Sequence, residues 1–507
     1  MPEYLTKSRY MLGLHCVRRL WRTVHRPQPH QEPVPGSPQE VGQRIGRHAH
    51  RLFADGVLID EPPWEHAAAV ARTRALMQDP RVGAIFEAAF EHDAVRIRVD
   101  VLERRPGGCW GLREVKSGGA VRDEYIDDVA LQAHVLDGCA VRVDSMELLH
   151  VNSRYARGSH GIAWPDVFAR VEVAPAVESR RSLVPATLSH QLRVVGRDAE
   201  PAVEPSKRCL RHGTCEHWEH CSTALPEDWI GWLPHLSHSR HEALAADGIH
   251  AIRDIPDHAG LTAAQTRIRD AIRRGEPIVE PGLAARLVPF GPPAVYLDFE
   301  AMLPAIPLYP DTRPYQALPF QWSLHRVDGD GRIGHEDFLA DGHDDPRRAF
   351  AQTLIKALRD SPHPIIVYSS YERSRLAELA AAFPDLARAL DEIAGRLHDL
   401  LPVVRDAVYH PGFRFRFSIK TVAPALCPDL TYADLDTVAD GTTAAVAFER
   451  LVTGGLSEEE NGRVRRALLA YCERDTLALV KLHRALRVMA RPPGELPHRT
   501  SVGAGAC

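Results

Sequence analysis

Two sets of acidic residues, far apart in the chain, have the types and spacing that metal-assisted phosphodiester chemistry requires. In the first, Asp100 ends the run VRIRVD, and Glu114 and Lys116 lie in LREVKSG. Residues i and i+2 of a strand share a face, so Glu114 and Lys116 project together while Val115 turns away. Two carboxylates suit Mg²⁺ or Mn²⁺, and the Lys116 ammonium orients or deprotonates the attacking water. Lysine occurs only at Lys7, Lys116, Lys207, Lys356, Lys420 and Lys481, so Lys116 is not casual surface charge. In the second set, Asp298 and Glu300 stand at i and i+2 in AVYLDFEAM, and Glu372 follows the apolar run PIIVYSS in the turn SYERSRL. Asp475 lies one helical turn after Tyr471. Four such acids on one sheet hold two cations about 4 Å apart, which stabilise the attacking and leaving oxygens, with Tyr471 orienting the water. Asp399 is a further acidic candidate.

These residues need particular elements beneath them. AVRIRVDVLERR and CWGLREVKSGG alternate around Pro106-Gly107-Gly108, which predicts a β-hairpin. VGQRIGRHAHRLFADG before it and EYIDDVALQAHVLDGCA after it have helical period, and DSMELLHVNSRY reads as a strand. Residues 26–40 read as an extended loop. Residues 223–288 read as short helices broken by Gly and Pro, a small helical adapter similar to a helix-hairpin-helix. From Pro292, AVYLDFEAM, FQWSLHRV and HEDFLA are strand candidates, RRAFAQTLIKALRD a helix, PIIVYSS a buried strand and GRVRRALLAYCERDTLALVKLHRAL the closing helix. Around Lys420, FRFRFSIK alternates Arg with Phe, either to contact phosphates and stack bases or as a plain amphipathic strand. The expected fold class is α/β, with domains at 1–222, 223–288 and 289–490 and a loose tail at 491–507.

Residues 1–222 resemble the PD-(D/E)xK nucleases of the RecB type, in which a helical Gly-x-x-x-His precedes the Asp and a helix with Gln-x-x-x-Tyr follows the E-x-K. The resemblance implies a restriction-endonuclease-like fold. It matches Gly46 and His50 to the first element, with His48 competing, and makes His50 a Mn²⁺-favouring ligand. It makes Gln132 a site residue; the position four later is Leu136, which leaves Asp128 and Tyr125 on the same helix face as substitutes. RecB-type nucleases that carry a four-iron four-sulfur (4Fe-4S) cluster take one cysteine upstream of the core and three downstream. Cys16 with Cys209, Cys215 and Cys221, spaced C-x5-C-x5-C, reproduces that split. The cluster would act as a staple closing a long loop. Zinc is the alternative, with His212, His217 or His220 completing a Cys/His site. Residues 289–490 resemble the DEDD exonucleases of the DnaQ-like superfamily, in the branch ending in Tyr-x-x-x-Asp, which implies an RNase H-like fold; Glu372 stands where Asp is usual.

Composition bounds the reading. A chain of 507 residues predicts several domains, and 44% hydrophobic against 25% charged residues predicts globular cores. A net charge of −5 provides no global positive field, so any nucleic-acid contact is a local groove. Nine scattered cysteines argue for a reducing compartment. No apolar run of about 18 residues and no signal-like start occur, so no membrane partner and a cytoplasmic location are expected. The expected activity is a metal-dependent nuclease on DNA rather than RNA, single-stranded or with free ends, in repair or defence against foreign DNA. Two other readings stand beside it: only the RNase H-like domain cuts, on RNA, or the chain is a non-catalytic Fe–S scaffold that binds nucleic acid.

Overall fold

The computed structural model describes residues 4–27, 32–210, 213–435 and 438–491. The tail expected at 491–507, Arg491 apart, and the zinc candidate His212 lie outside the described residues. The fold is mixed α/β and divides into two compact units, Met1–Ala224 with Leu303–Gln316, and Leu225–Met302 with Ala317–Cys507. The segment 223–288 is thus no separate body, because from Leu225 it belongs to the second unit; residues 303–316, expected within 289–490, belong to the first.

In the first unit, β1 (Leu5–Thr6), α1 (Lys7–His15) and α2 (Val17–His25) precede α3 (Pro38–Ala49), β2 (Gly56–Leu58) and α4 (His66–Gln78). A meander of β3 (Ala84–His92), β4 (Val95–Arg104) and β5 (Trp110–Lys116) follows, and α5 (Asp123–Gly138) crosses over to β6 (Val143–Val151), parallel to β5. The unit is completed by α6 (Trp164–Val167), β7 (Phe168–Glu172), α7 (Ala174–Arg181), α8 (Val184–Val195) and α9 (Trp218–Cys221). The sheet runs β2-β3-β4-β5-β6-β7. The expected hairpin is β4–β5, with Gly107 and Gly108 both at φ 73°, a conformation that costs glycine nothing. β3 was not expected. It is buried on both faces, and its ladder to β4 keeps one register from Phe86↔Val101 to Ala88↔Val99, with Glu87 (φ 55°) left out of the pairing between them.

The feature that makes a site is a split in this sheet. On one edge β4 pairs with β1 at Val95 and Arg96 and with β5 from Val101 to Arg104. Between them Ile97–Asp100 have no ladder partner on that edge among the described residues, so β4 and β5 diverge at Asp100 while β5 runs on beside β6 to Lys116. Leu20, Leu102, Leu112, Val129 and Leu148 belong to one core; Ile45, Ala49, Phe86, Val101 and Leu149 form a second. Burying each such side chain stabilises by about 1.5–3 kcal/mol. Ala305 and Tyr315 complete the second core. Arg157 and Thr312 are joined through their backbone at 3.0 Å, and the Tyr315 hydroxyl donates to the Ser117 carbonyl, just beyond Lys116.

The second unit opens with α10 (His238–Ala246), α11 (Ala263–Arg274), β8 (Ile278–Val279) and α12 (Leu283–Leu287). It continues with β9 (Ala294–Met302), β10 (Leu318–Val327), β11 (Ile333–Leu339), α13 (Pro346–Leu358), β12 (Ile365–Val367), α14 (Tyr371–Ala382), α15 (Ala387–Gly395) and β13 (Leu397–Asp399). After these come α16 (Leu400–Ala407), β14 (Val408–Tyr409), α17 (Ile419–Leu426), α18 (Gly441–Thr453) and α19 (Glu458–Met489). The sheet order is β11-β10-β9-β12-β13, with the first three antiparallel and β12 and β13 parallel to β9. β8 pairs with β14, which ties the short helices to this sheet's unit. α19 starts at a capping box, Ser457 with Glu460, and packs on β9 and β10. Two expectations are corrected. Three residues separate α14 from β12, so Glu372 sits in a helix's first turn rather than in the expected turn between elements. FRFRFSIK is not a strand, because Arg414 (φ 45°) and Phe415 (φ 64°) turn the chain before α17. Among the described residues no helix is long and apolar enough to cross a membrane.

Candidate functional site

Where β4 and β5 diverge, the Val115 N–H has lost its strand partner, and the Asp100 carboxylate takes its place at 2.8 Å. Glu114 lies on the same side, buried under α5. Lys116 Nζ donates to Glu114 at 2.6 Å and to Asp128 at 2.6 Å; Gln132 Nε2 donates to Glu114 at 2.7 Å and to Asp128 at 2.9 Å. Asp128 and Gln132 are i and i+4 on α5 and so present one face to β5. Asp128 therefore stands with Asp100, Glu114, Lys116 and Gln132, and Lys116 Nζ lies 5.2 Å from the centre of the Tyr125 ring.

A second lysine completes the cluster. Lys7, the first residue of α1, donates to both Glu114 oxygens at 3.1 and 3.2 Å and stands 3.7 Å from Asp100 and from Asp128. β1 sits on the free edge of β4 beside the split, which directs the next residues into it. Burial alone would raise Glu114, but Lys116 and Lys7 hold its carboxyl well below the usual range. Asp100 is pushed up to about 7 by burial and by the charge of Glu114. Burial would lower Lys116, but Glu114 and Asp128 hold it above its ordinary value. In this metal-free cluster Lys116 is held as a cation, placed to orient water and stabilise charge. Gln132 Oε1 is buried with no hydrogen-bond partner, an orphan acceptor beside three carboxylates that fits a hydrated Mg²⁺ or Mn²⁺.

His50 is not brought to this cluster. It lies in a single 3-10 turn after α3, its ring stacked 3.9 Å from that of Phe86, and does not share a 4.8 Å ligand group with Asp100 and Glu114. Phe86 pairs with Val101, and Asp100 and Val101 point to opposite faces. His48 stacks instead on Trp164.

The four cysteines converge on the start of α2. Cys16 caps α2, its Sγ accepting from the Arg19 N–H at 3.4 Å. Arg19 pairs with Glu216 at 2.7 Å, Arg18 reaches His220 at 3.4 Å, and the Cys215 N–H donates to the Cys209 carbonyl at 3.0 Å. Burial pushes the Cys215 and Cys221 thiols up, while Arg19 and Arg18 respectively pull them down. All four are free thiols, and no three of them lie within 4.8 Å of one another.

In the second unit, Asp298 and Glu300 on β9 lie with the Cys472 thiol of α19 inside a 4.8 Å group, and Cys472 Sγ is 3.6 Å from Asp298. Asp475 accepts from the Tyr432 hydroxyl at 2.7 Å. Burial pushes Asp298 well above its ordinary range, with Asp475 and Glu300 adding to the effect; Glu300 rises to about 8 by burial and Asp475. Glu372 rises to about 8 by burial and Asp399, and its Oε2 is a second orphan acceptor. Asp399 is itself engaged as the cap of α16, accepting from the Leu401 N–H at 2.8 Å. The Tyr471 hydroxyl, expected to orient water, accepts from Lys420 Nζ at 2.6 Å. A buried set of hard oxygens that holds protons it would otherwise shed fits divalent cations.

Lys7, Cys472 and Tyr432 are members that the sequence reading missed. The rarity of lysine was a signal for Lys7; for the other two none was visible, since Cys472 reads as core and Tyr432 lies in an irregular segment. A family model described as a domain of unknown function (DUF2779) matches residues 295–418, which includes Asp298, Glu300 and Glu372 but neither Tyr471 nor Asp475. No curated protein matches the chain.

Proposed function

We propose that the chain is a metal-dependent nuclease that hydrolyses phosphodiester bonds of DNA, single-stranded or with free ends, in repair or defence against foreign DNA. The observation that carries the reading is the convergence of Asp100, Glu114, Lys116 and Gln132 at the split between β4 and β5. In this reading Asp100 and Glu114 hold the cation, Lys116 orients the water or the phosphate, and Gln132 fixes Glu114. A bound Mg²⁺ or Mn²⁺ supplies Lewis-acid polarisation of the phosphate and a more acidic water. The split-sheet topology supports a restriction-endonuclease-like unit 1, and the order β11-β10-β9-β12-β13 supports an RNase H-like unit 2. Asp298, Glu300, Glu372 and Asp475 are the proposed second centre, and Cys16, Cys209, Cys215 and Cys221 the ligands of a 4Fe-4S cluster.

Lys7 favours a second reading in which only the second unit cuts, since its ammonium already neutralises the first set of carboxylates. The test is cleavage of end-labelled single- and double-stranded DNA and RNA, with Mg²⁺ or Mn²⁺, by wild type, Lys116→Ala, Asp298→Ala and the double variant. Loss in Lys116→Ala supports the first centre; full activity in that variant with loss in Asp298→Ala assigns the chemistry to the second. Metal-dependent cleavage by none of the four, with nucleic acid still bound, sinks the nuclease reading in favour of an Fe–S scaffold.

A further inference from the structure

The turn between β3 and β4 is two residues long, and both adopt left-handed backbone conformations, Asp93 at φ 49° and Ala94 at φ 58°. That is the geometry of a tight hairpin whose twist matches its strands. Asparagine and aspartate tolerate it; alanine adopts it at a cost. The turn presents the Asp93 carboxylate between two imidazoles, one from His92 at the end of β3 and one from His134 on α5. Asp93 Oδ2 lies 3.4 Å from His92 Nε2 and 3.1 Å from His134 Nε2, and all three ligand atoms fall within 4.8 Å of one another. The His92 ring reaches this position because α5 has glycine opposite it: a Cβ at Gly138 would fall inside the ring.

We propose that His92, Asp93 and His134 form a binding site for a borderline divalent transition metal, Zn²⁺ or Ni²⁺. Bonds of about 2.0–2.2 Å to imidazole nitrogen and carboxylate oxygen, arranged tetrahedrally, place neighbouring ligand atoms about 3.3 Å apart. Two of the three edges of the site already have that length. Two imidazoles select zinc, nickel or cobalt over Mg²⁺, which takes oxygen ligands. In the bland alternative both imidazoles simply hydrogen-bond to the Asp93 carboxylate, and metal titration separates the two. The side chains are partly exposed, which leaves the fourth position to water and the site open to exchange.

The position of the site gives the metal a structural task. The Ala94 carbonyl accepts the Leu5 N–H at 2.8 Å, so the same turn holds β1, two residues before Lys7. On α5, His134 follows Gln132 by two residues. A metal here joins the element that delivers Lys7 to the helix that delivers Asp128 and Gln132, bracing both sides of Glu114. The site does not depend on the nuclease reading, and its test reads metal binding rather than cleavage.

The experiment is titration of the metal-free full chain with Ni²⁺, by calorimetry and by thermal denaturation, in a Cys215→Ser background so that thiols do not compete. Wild-type ligands are compared with Asp93→Asn and His134→Ala; asparagine keeps the turn's backbone preference while removing the charge. The expected result is one bound Ni²⁺ per chain lost from His134→Ala, at least about tenfold weaker binding in Asp93→Asn, and a nickel-dependent rise in melting temperature seen only with the native ligands. Equal stoichiometry, affinity and thermal shift in all three proteins overturns the proposal. X-ray absorption of the Cys215→Ser protein loaded with one equivalent of Ni²⁺ gives a second readout: imidazole scattering lost in His134→Ala supports the site, and imidazole scattering unchanged by that substitution, or absent from the start, overturns it.

Discussion

Lys7 and Glu114, 107 positions apart in sequence, meet through both carboxylate oxygens, at 3.1 and 3.2 Å. The contact places a cation where Asp100, Glu114 and Asp128 would otherwise attract one from solution. Lys7→Ala is expected to destabilise the metal-free protein by about 1–3 kcal/mol, the range for leaving a buried charged group short of a partner. The same change is expected to tighten Mn²⁺ binding to the first unit about tenfold. Urea denaturation in chelator and calorimetric Mn²⁺ titration in an Asp298→Ala background check both; unchanged Mn²⁺ affinity would show that Lys7 does not compete for the site.

Stability without metal should fall as pH rises from about 6.5 to 8, above the range in which His325 and His483, lowered to about 4 by burial, act in the opposite direction. Asp100, Glu300 and Glu372 hold protons in the folded chain up to about 7, 8 and 8. In the unfolded chain they release them near pH 4. The folded state thus binds more protons across that window, and the unfolding free energy drops with rising pH. Glu114, held low, acts oppositely, its contribution being present above its unfolded value and lost as the pH falls towards strong acid. Melting curves in chelator should shift down between pH 6.5 and 8, and Mg²⁺ or Mn²⁺ should recover most of the loss at pH 8. A flat chelator profile would contradict this account.

Burial raises the Asp475 carboxyl, and the hydrogen bond that Tyr432 donates to it pulls it back down in part. Tyr432→Phe removes one hydroxyl at a stability cost of about 1 kcal/mol. In a Lys116→Ala background it is expected to lower metal-dependent cleavage by the second unit about tenfold and to move the acid limb of the pH–rate profile to higher pH. A drop in rate with no movement of that limb would assign Tyr432 a purely packing role.

The four thiols around Arg18 and Arg19 are expected to hold iron and sulfide when the protein is purified without oxygen, giving a brown solution with broad visible absorbance. Cys16→Ser and Cys215→Ser should each lose the colour and lower the thermal midpoint, because segments distant in sequence are then no longer joined. A colourless protein containing zinc would replace the cluster with the rival site.

The legible parts of the fold are those whose burial is one-sided or whose turns demand glycine. The β4–β5 hairpin announced itself through Gly107 and Gly108, and α5 through its period. β3 stayed hidden because AIFEAAF is apolar on both faces and so shows no alternation. Glu114 and Lys116 were readable because their spacing is local. Lys7 was not, since only the pairing of Leu5 with Val95 brings it near. The helix that holds Glu372 is not legible because SSYERSRL carries no clear helix signal, and the sequence gives no sign that the His50 ring stacks on Phe86.

Residues 303–316 leave the second unit after β9 and return to it at β10, having supplied Ala305 and Tyr315 to the first unit's second core. A ribosome releases this chain from one end, so the first unit cannot finish folding when residue 224 emerges; it must wait for about 90 further residues. Until then the apolar surface around Val101 and Leu149 lies open, and the main-chain groups of Arg157 lack their partners at Asp311 and Thr312. A fragment stopped at 224 would carry that exposed patch permanently and is a candidate for aggregation, whereas one that also contains residues 225–316 includes every segment of the first unit. The two units are thus interleaved along the chain, and a gene fusion could not exchange either of them by a single crossover.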